Sequence, residues 1–400
     1  MHHAFGIQVD YHFDVHFTQD VFAPSNTVLL DSLRMPAADR PARALVFVDQ
    51  GSVTADPDLI PRIHRWFAVQ DPSRCQLAAP PEIVPGGEAV KADWRIVDTV
   101  GRLAVEAGLC RHSYVIIIGG GAVLDAVGFG ASLVHRGLRQ IRIPTTVLAQ
   151  ADAGLGVKNA INGLGNKNFY GTFTPPDAII NDRSFLVRLD DRSWRAGVAE
   201  AFKVAIIKDR DFLTDLIASA GRLRARDLDT MAQTIERCAL LHLDHITSGG
   251  DPFEKGSSRP LDFGHWSAHR LEVLSRHRLQ HGEAVAIGVA LDCCYAVEIG
   301  RLRESEVEPI LEALALIGFA LWDDCLDLRG AGGRRLVLEG LEQFREHLGG
   351  ALTLAMPQGI GQREDITSFD TEAFERAARA LRARRARLSR LAGLNIPTTI

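Results

Sequence analysis

The apolar residues of this chain change their period partway along it. In the first part they come in short unbroken runs: Ala44-Leu-Val-Phe-Val-Asp49, Tyr114-Val-Ile-Ile-Ile-Gly119, Gln140-Ile-Arg-Ile-Pro-Thr145 and Ala178-Ile-Ile-Asn181. Runs of this length, bounded by Gly, Pro or an acid, predict strands of a parallel sheet buried on both faces. Between them, 57–69 and 89–107 carry helical spacing. After about Asn181 the pattern becomes that of long helices, at 196–208, 232–245, 264–275, 281–299 and 306–315. The change predicts an α/β, Rossmann-like nucleotide-binding domain over 1–183 and an all-α domain over 184–400. The arginine-rich segment 374–390 predicts a helix with a solvated basic face.

Composition agrees and narrows the class. Four hundred residues are too many for one ordinary core, which fits two domains. A net charge of −5 gives nucleic acid no electrostatic footprint. No apolar run approaches the roughly 20 residues that span a bilayer. No basic stretch leads into an apolar one at the start, so a cytoplasmic location is expected. Cys75, Cys110, Cys238, Cys293, Cys294 and Cys325 form no CxxC pair and read as reduced, mostly buried thiols.

Two groups of residues carry candidate chemistry. The first is the turn Gly119-Gly120-Gly121, which follows a strand and opens a helix that holds Asp125. Glycines there let backbone N–H groups approach a pyrophosphate at a helix N-terminus. The run is not GxGxxG, so a purely structural turn competes. Asp49 ends an earlier strand, where a carboxylate accepts from ribose hydroxyls and favours NAD over NADP. Glu88 and Lys91 follow a Gly-Gly turn, and Thr145 and Thr146 end another strand. Asp152, Lys158, Lys167 and Asn168 lie in a glycine-interrupted segment that reads as a phosphate-holding loop or as solvated lysines.

The second group runs from Arg259 to Glu283. His265 and His269 share a helix face at a spacing of four, and His281 follows beside a glycine. Converging imidazoles suit a divalent metal. Glu200 and Lys203 are three apart on an earlier helix. That spacing fits a surface ion pair; Glu200 would also complete a Glu/His/His set with open positions for substrate.

Together these stretches resemble the dehydroquinate synthase-like sugar phosphate cyclases, in consistent order from about Asp49 to Glu283. The pieces are the Gly119–Asp125 turn, Pro144-Thr-Thr, Asp152 with Lys158, Lys167-Asn168, Gly197-x-x-Glu200-x-x-Lys203, Gly264-His265-x-x-x-His269 and His281-Gly-Glu-Ala-Val. The resemblance implies an α/β NAD-binding domain and an α-helical metal domain. It implies Glu200, His265 and His281 as ligands of one zinc or cobalt ion. It places Asp152, Lys158, Asn168, Lys203 and His269 at the substrate, with Lys158, Lys203, His269 and Asp152 in catalysis. It also implies a homodimer in which Arg136 reaches across the interface, and a small sugar phosphate as the only ligand besides cofactors.

Departures from the family pattern narrow the substrate. Dehydroquinate synthases hold a carboxylated sugar acid with a lysine and an arginine upstream of the Gly-His motif. In ungapped register those positions are Asp244 and Ser258 here, and the family's Asn is Asp262. Exchanging two cations for an acid and a hydroxyl, and an amide for another acid, removes carboxylate pairing and adds repulsion. Hydroxyls in place of the carboxylate fit better. The resemblance is therefore strongest to the C7-cyclitol branch, which acts on sedoheptulose 7-phosphate. A metal-dependent polyol dehydrogenase, sharing the two-domain plan, is the rival from another reaction class.

Overall fold

The structure is a computed structural model that describes residues 1–35, 40–253, 261–347, 350 and 352–394. It divides into two compact units, one of residues 1–149 and 153–188, the other of residues 150–152 and 189–400.

The first unit is built on strands β1 (Asp14–Thr18), β2 (Ala42–Asp49), β3 (Cys75–Leu77), β4 (Glu82–Val84), β5 (Tyr114–Gly119), β6 (Arg139–Pro144), β7 (Lys158–Gly163), β8 (Asn166–Phe173) and β9 (Ala178–Asp182). Seven of them form one parallel sheet in the order β1-β9-β6-β5-β2-β3, with β4 also on β2. Its helices are α1 (Val28–Ser32), α2 (Gln50–Ala55), α3 (Leu59–Val69), α4 (Arg95–Glu106) and α5 (Gly121–Leu133). The period-2 geometry of β5 sends Tyr114, Ile116 and Ile118 into a core with Leu29, Ile63 and Trp66. Val115 and Ile117 enter the opposite core with Val100, Val123 and Val127. Both faces are covered, as the unbroken apolar runs require.

Two expectations need correction here. The segment holding Lys158, Lys167 and Asn168 is not a loop but a β7–β8 hairpin, with Leu164 and Gly165 at positive φ in its turn. Its strands are mostly polar on the outside, so no apolar run announced them. Arg142 anchors the entry to the hairpin from within the sheet, donating to the Gly156 carbonyl at 2.6 Å and to Asn159 Oδ1 at 2.8 Å. The helix expected at 89–107 is a 3-10 turn, Gly87–Lys91, followed by α4.

The second unit holds α6 (Asp191–Lys208), α7 (Arg210–Arg224), α8 (Leu228–Ser248), α9 (His265–Leu274), α10 (His281–Glu298), α11 (Glu304–Ile317) and α12 (Glu339–His347). A hairpin of β10 (Leu354–Pro357) and β11 (Arg363–Ile366) precedes α13 (Thr371–Ala392). The central helix, α10, lies so close to its neighbours that side chains are excluded at two points. A Cβ at Gly282 would come within 2.3 Å of the Ala196 carbonyl oxygen of α6. A Cβ at Gly288 would come within 2.1 Å of the Gly264 carbonyl oxygen at the entry to α9.

The basic face of α13 is not merely solvated. Arg384 pairs with Glu304 and Glu308, Arg387 with Glu308 and Glu312, Arg376 with Glu298, Arg382 with Asp327 and Arg385 with Asp324. The arginines face acids spread over α10, α11 and the turn after α11, which a one-dimensional reading keeps apart. No helix of the described residues is long and apolar enough to cross a membrane. All six cysteines are free thiols, with Cys75, Cys238, Cys293 and Cys294 buried.

Candidate active site

In the first unit, the candidate cofactor residues gather at the C-terminal ends of the strands. The chain leaves β2 outward to β3 and β4, then returns to the other side of β2 as β5. Asp49 ends β2 and Gly119 ends β5, so the two flank the switch point where open parallel sheets bind ligands. The Asp49 carboxylate caps α2 by accepting from the Gly51 N–H at 2.6 Å. A Cβ at Gly86 would fall 2.6 Å from the same carboxylate. At Gly119 one would meet Val123 at 2.9 Å, and at Gly121 it would meet Ala153 at 2.9 Å. Packing therefore demands glycine at two positions of the triplet. At Gly120, the N-cap of α5, a Cβ would meet only the Thr146 methyl at 3.5 Å, and φ is ordinary. The structural-turn explanation covers Gly119 and Gly121 but not Gly120.

Thr145 and Thr146 follow β6 at the same edge. Thr145 Oγ1 accepts from Ser52 Oγ at 3.1 Å, and Thr146 Oγ1 accepts from the Ala149 N–H at 3.1 Å. Glu88 is exposed, whereas Lys91 is buried and committed. The Lys91 ammonium donates to Asp125 Oδ2 at 2.6 Å and to Asn168 Oδ1 at 2.7 Å. Burial raises the Asp125 pKa, with Lys91 pulling against it. This contact joins two residues read as cofactor-binding to one read as substrate-binding. Lys158 and Lys167 are exposed on the hairpin strands, and Asn168 sits at φ 53 with its N–H on Asn162 Oδ1. Arg136 is exposed at φ 65, in the short turn after α5.

In the second unit, three helices bring Glu200, His265 and His281 together, with one ligand atom of each within 4.8 Å of the others. Glu200 Oε1 lies 3.5 Å from His265 Nε2 and 3.3 Å from His281 Nε2. Lys203 Nζ lies 2.5 Å from Glu200 Oε2. Glu200 is fully buried; the Lys203 ammonium faces its Oε2, and both imidazole Nε2 atoms face its Oε1 at distances long for a hydrogen bond. Lys203 answers one oxygen of this buried carboxylate, and the other lies between two imidazoles, where a second cation would complete it. Two imidazole nitrogens and a buried carboxylate oxygen are the donor set of a divalent ion, so these residues fit one.

Charge supports this arrangement. Burial works against the Glu200 carboxylate, but Lys203 and His265 outweigh it and hold its pKa well below the ordinary range. Burial likewise opposes the Lys203 ammonium, and the Glu200 and Asp152 carboxylates overcome it, so its pKa is raised. Desolvation disfavours charged His281, but the Glu200 and Glu272 carboxylates push its pKa up to about 10, so an ion bound at Nε2 would displace a proton there. Asp152 also contacts His242, with Oδ1 3.1 Å from Nδ1. Asp262 adds negative potential at Lys203, and its carbonyl accepts from the His265 N–H. His269 is exposed, its ring centroid 5.4 Å from that of His265 and 5.8 Å from that of His281. Asp244 pairs with Lys208 at 3.6 Å. Ser258 lies outside the described residues.

Sequence reasoning missed two buried acids. Glu272 faces His281 Nδ1 at 3.2 Å. Asp292, on α10, accepts from the Gly264 N–H at 3.0 Å and from Trp266 Nε1 at 3.1 Å, bracketing His265. The signal available for Glu272 was its place seven residues after His265, on the same helix face. Asp292 gave the complementary one, an acid set in the apolar middle of its helix.

Comparison with known proteins places the chain. Residues 82–196 match the model of the 3-dehydroquinate synthase N-terminal domain, and residues 197–331 match that of its C-terminal domain. The chain belongs to the 3-dehydroquinate synthase family. It is 32% identical over 376 residues to the 2-epi-5-epi-valiolone synthase of an Actinoplanes species, covering 90% of this chain and 89% of that one. It is 35% identical over 284 residues to the 3-dehydroquinate synthase of Aeropyrum pernix, covering 70% and 75%. Among solved structures it is similar to the 2-epi-5-epi-valiolone synthase of Streptomyces hygroscopicus subsp. jinggangensis 5008, determined with NAD+ and Zn2+ bound. That likeness has a TM-score of 0.81 and 26% identity, over 95% of this chain and 99% of that one. The expected family and fold class are thus established.

Proposed function

We propose that this chain is an NAD- and divalent-metal-dependent sugar phosphate cyclase that converts sedoheptulose 7-phosphate to 2-epi-5-epi-valiolone and inorganic phosphate. The observation that carries the reading is the fully buried Glu200 carboxylate, with two imidazole Nε2 atoms at one oxygen and the Lys203 ammonium at the other. The near full-length similarity to a 2-epi-5-epi-valiolone synthase supports the substrate. When bound, NAD would supply a reversible hydride acceptor, and zinc or cobalt would acidify and orient adjacent substrate hydroxyls. The overall change is redox-neutral: transient oxidation of a ring alcohol, β-elimination of phosphate, re-reduction, ring opening and intramolecular aldol closure.

The chain's own groups have separable roles. Asp49 would accept from ribose hydroxyls, and the α5 N-terminus at Gly119, Gly120 and Gly121 would receive the pyrophosphate. Thr145, Thr146, Glu88, Lys91 and Asp125 would line the same cofactor edge. Lys203, held charged by Glu200 and Asp152, would donate to a substrate oxygen. Lys158, Lys167 and Asn168 would hold the phosphate, and Arg136 would serve the substrate site of a second copy in a homodimer. The solvent-facing His269 would move protons. Asp262 would accept from hydroxyls where a carboxylated substrate would be repelled.

The test is incubation with sedoheptulose 7-phosphate, NAD and Zn2+ or Co2+. Phosphate release without net NADH, together with the cyclitol product, is expected. Net NADH accumulation would identify a polyol dehydrogenase and overturn the reading. A 3-dehydroquinate synthase is the second reading, favoured by the 35% identity to the Aeropyrum enzyme. Phosphate release from the carboxylated sugar-acid phosphate alone would establish it instead.

A further inference from the structure

The two histidines of the Glu200 cluster are oriented by the same device with different acceptors. Each presents Nε2 to Glu200 Oε1, at 3.5 Å for His265 and 3.3 Å for His281. Each has its Nδ1 against an acceptor on the other side of the ring. For His265 that acceptor is the Phe263 carbonyl oxygen, at 3.3 Å. For His281 it is the Glu272 carboxylate, at 3.2 Å. An acceptor at Nδ1 holds a proton there, so an ion that displaces the Nε2 proton finds that lone pair already aimed at the place beside Glu200. The Phe263 carbonyl does this as a neutral dipole, whereas Glu272 does it as an anion. A carboxylate behind an imidazole also raises the ring's basicity, which strengthens it as a ligand.

Glu272 is placed for this by its helix. It lies seven residues after His265 on α9, two turns along the same face, and is 6% exposed. His281 is the first residue of α10, where side chains have few neighbours within their own helix to fix them. Its ring therefore depends on contacts from other helices. The cluster of His269, Glu272 and His281 offers a different geometry, in which Glu272 itself would be a ligand and an ion would take His281 Nδ1. The first cluster accounts for more, because it alone uses the fully buried Glu200 oxygen that lies between the two Nε2 atoms.

We infer that Glu272 is a positioning residue that fixes the tautomer and angle of His281 and thereby sets the metal affinity of the Glu200, His265 and His281 cluster. This rests on the metal reading given above. The experiment measures the Zn2+ dissociation constant by competition with a chelator, the number of ions bound per chain, and the melting temperature of the metal-free protein. The proteins compared are the wild type, Glu272→Gln, Glu272→Ala and Glu200→Ala. Wild type is expected to bind one ion, and Glu200→Ala to lose it. Failure of either would remove the metal reading itself and not this inference alone.

Given those controls, Glu272→Gln should weaken binding roughly tenfold, because an amide oxygen still accepts from Nδ1–H but carries no charge. Glu272→Ala should weaken it by roughly a hundredfold. The metal-free melting temperature should fall somewhat in Glu272→Ala, which leaves His281 without its buried partner, and less in Glu272→Gln, which keeps an acceptor. Wild-type affinity in both variants would overturn the inference. So would a fall in metal-free stability that accounts for the whole loss, which marks a structural role. Two ions in wild type and one in Glu272→Ala would make Glu272 a ligand in its own right.

Discussion

At the scale of single residues, the candidate site is a set of charges that stabilise one another. Glu200 keeps Lys203 charged, Lys203 keeps Glu200 ionised, and Asp152 and Asp262 add to the field on the lysine. Asp262 is the residue in this set that departs from the family's amide. Replacing it with Asn removes a charge at nearly constant volume. Asp262→Asn should raise KM for sedoheptulose 7-phosphate several-fold and relax rejection of a carboxylated analogue. Steady-state kinetics with the two substrates checks this, and unchanged constants would separate Asp262 from selectivity. Glu200, His265, His269 and His281 were legible in the sequence because i, i+4 spacing and a distinctive motif marked them. Glu272 and Asp292 were not, since an acid on a helix ordinarily points to solvent, and only tertiary packing shows these two buried.

At the scale of elements, α10 organises the second unit. Its first residue is His281, and three turns later Asp292 holds Gly264 and Trp266 on either side of His265. Burial drives the Asp292 pKa up to about 7, against the hydrogen bonds from Trp266 and Gly264. The native state therefore keeps a proton that the unfolded chain, titrating near 3.9, has already lost. Between about pH 4 and pH 7 the unfolded state binds fewer protons, so this group lowers stability as pH rises, by up to about 1.4 kcal/mol per unit. Asp292→Asn removes the titration. Its melting temperature relative to wild type should climb from pH 4 to pH 7 and then level; a constant difference would contradict the assignment. The parallel strands were legible as apolar runs, and the long helices as 3.6-residue periods. The β7–β8 hairpin escaped because exposed Phe169 and Phe173 are mixed with polar residues and break any two-residue alternation, and its turn, Leu164-Gly165, lacks the usual Asn-Gly or Asp-Gly signature.

At the scale of the whole chain, the arginine-rich C-terminal helix serves as a strap. Its partners are surface pairs in water, each worth about 1 kcal/mol or less. Arg335 differs, since its side chain is 4% exposed and bridges Asp327 and Glu375 of α13. Removing Arg335 also strips the Leu326 carbonyl of its donor and leaves Asp327 and Glu375 to Arg382 and Arg329 alone. Arg335→Ala should cost roughly 3–5 kcal/mol and Arg384→Ala about 1 kcal/mol or less, as read by urea denaturation. Equal losses would show that burial does not distinguish them. The two-unit plan was visible from the change in apolar period. The docking of α13 was not, because its acidic partners lie some 55 to 80 positions earlier in the chain.

The close approaches at Gly282 and Gly288 have a consequence for ion choice. The donors at Glu200, His265 and His281 ride on helices whose separation is set by backbone against backbone. Such a frame cannot expand by repacking side chains, so an ion held at these candidate donors would be selected by its radius. Small ions that accept two nitrogens and an oxygen near 2 Å suit it, and zinc and cobalt are interchangeable on that criterion. Calcium, which seeks six to eight oxygens at about 2.3–2.6 Å, is excluded by the rigidity of the frame as much as by the chemistry of its donors.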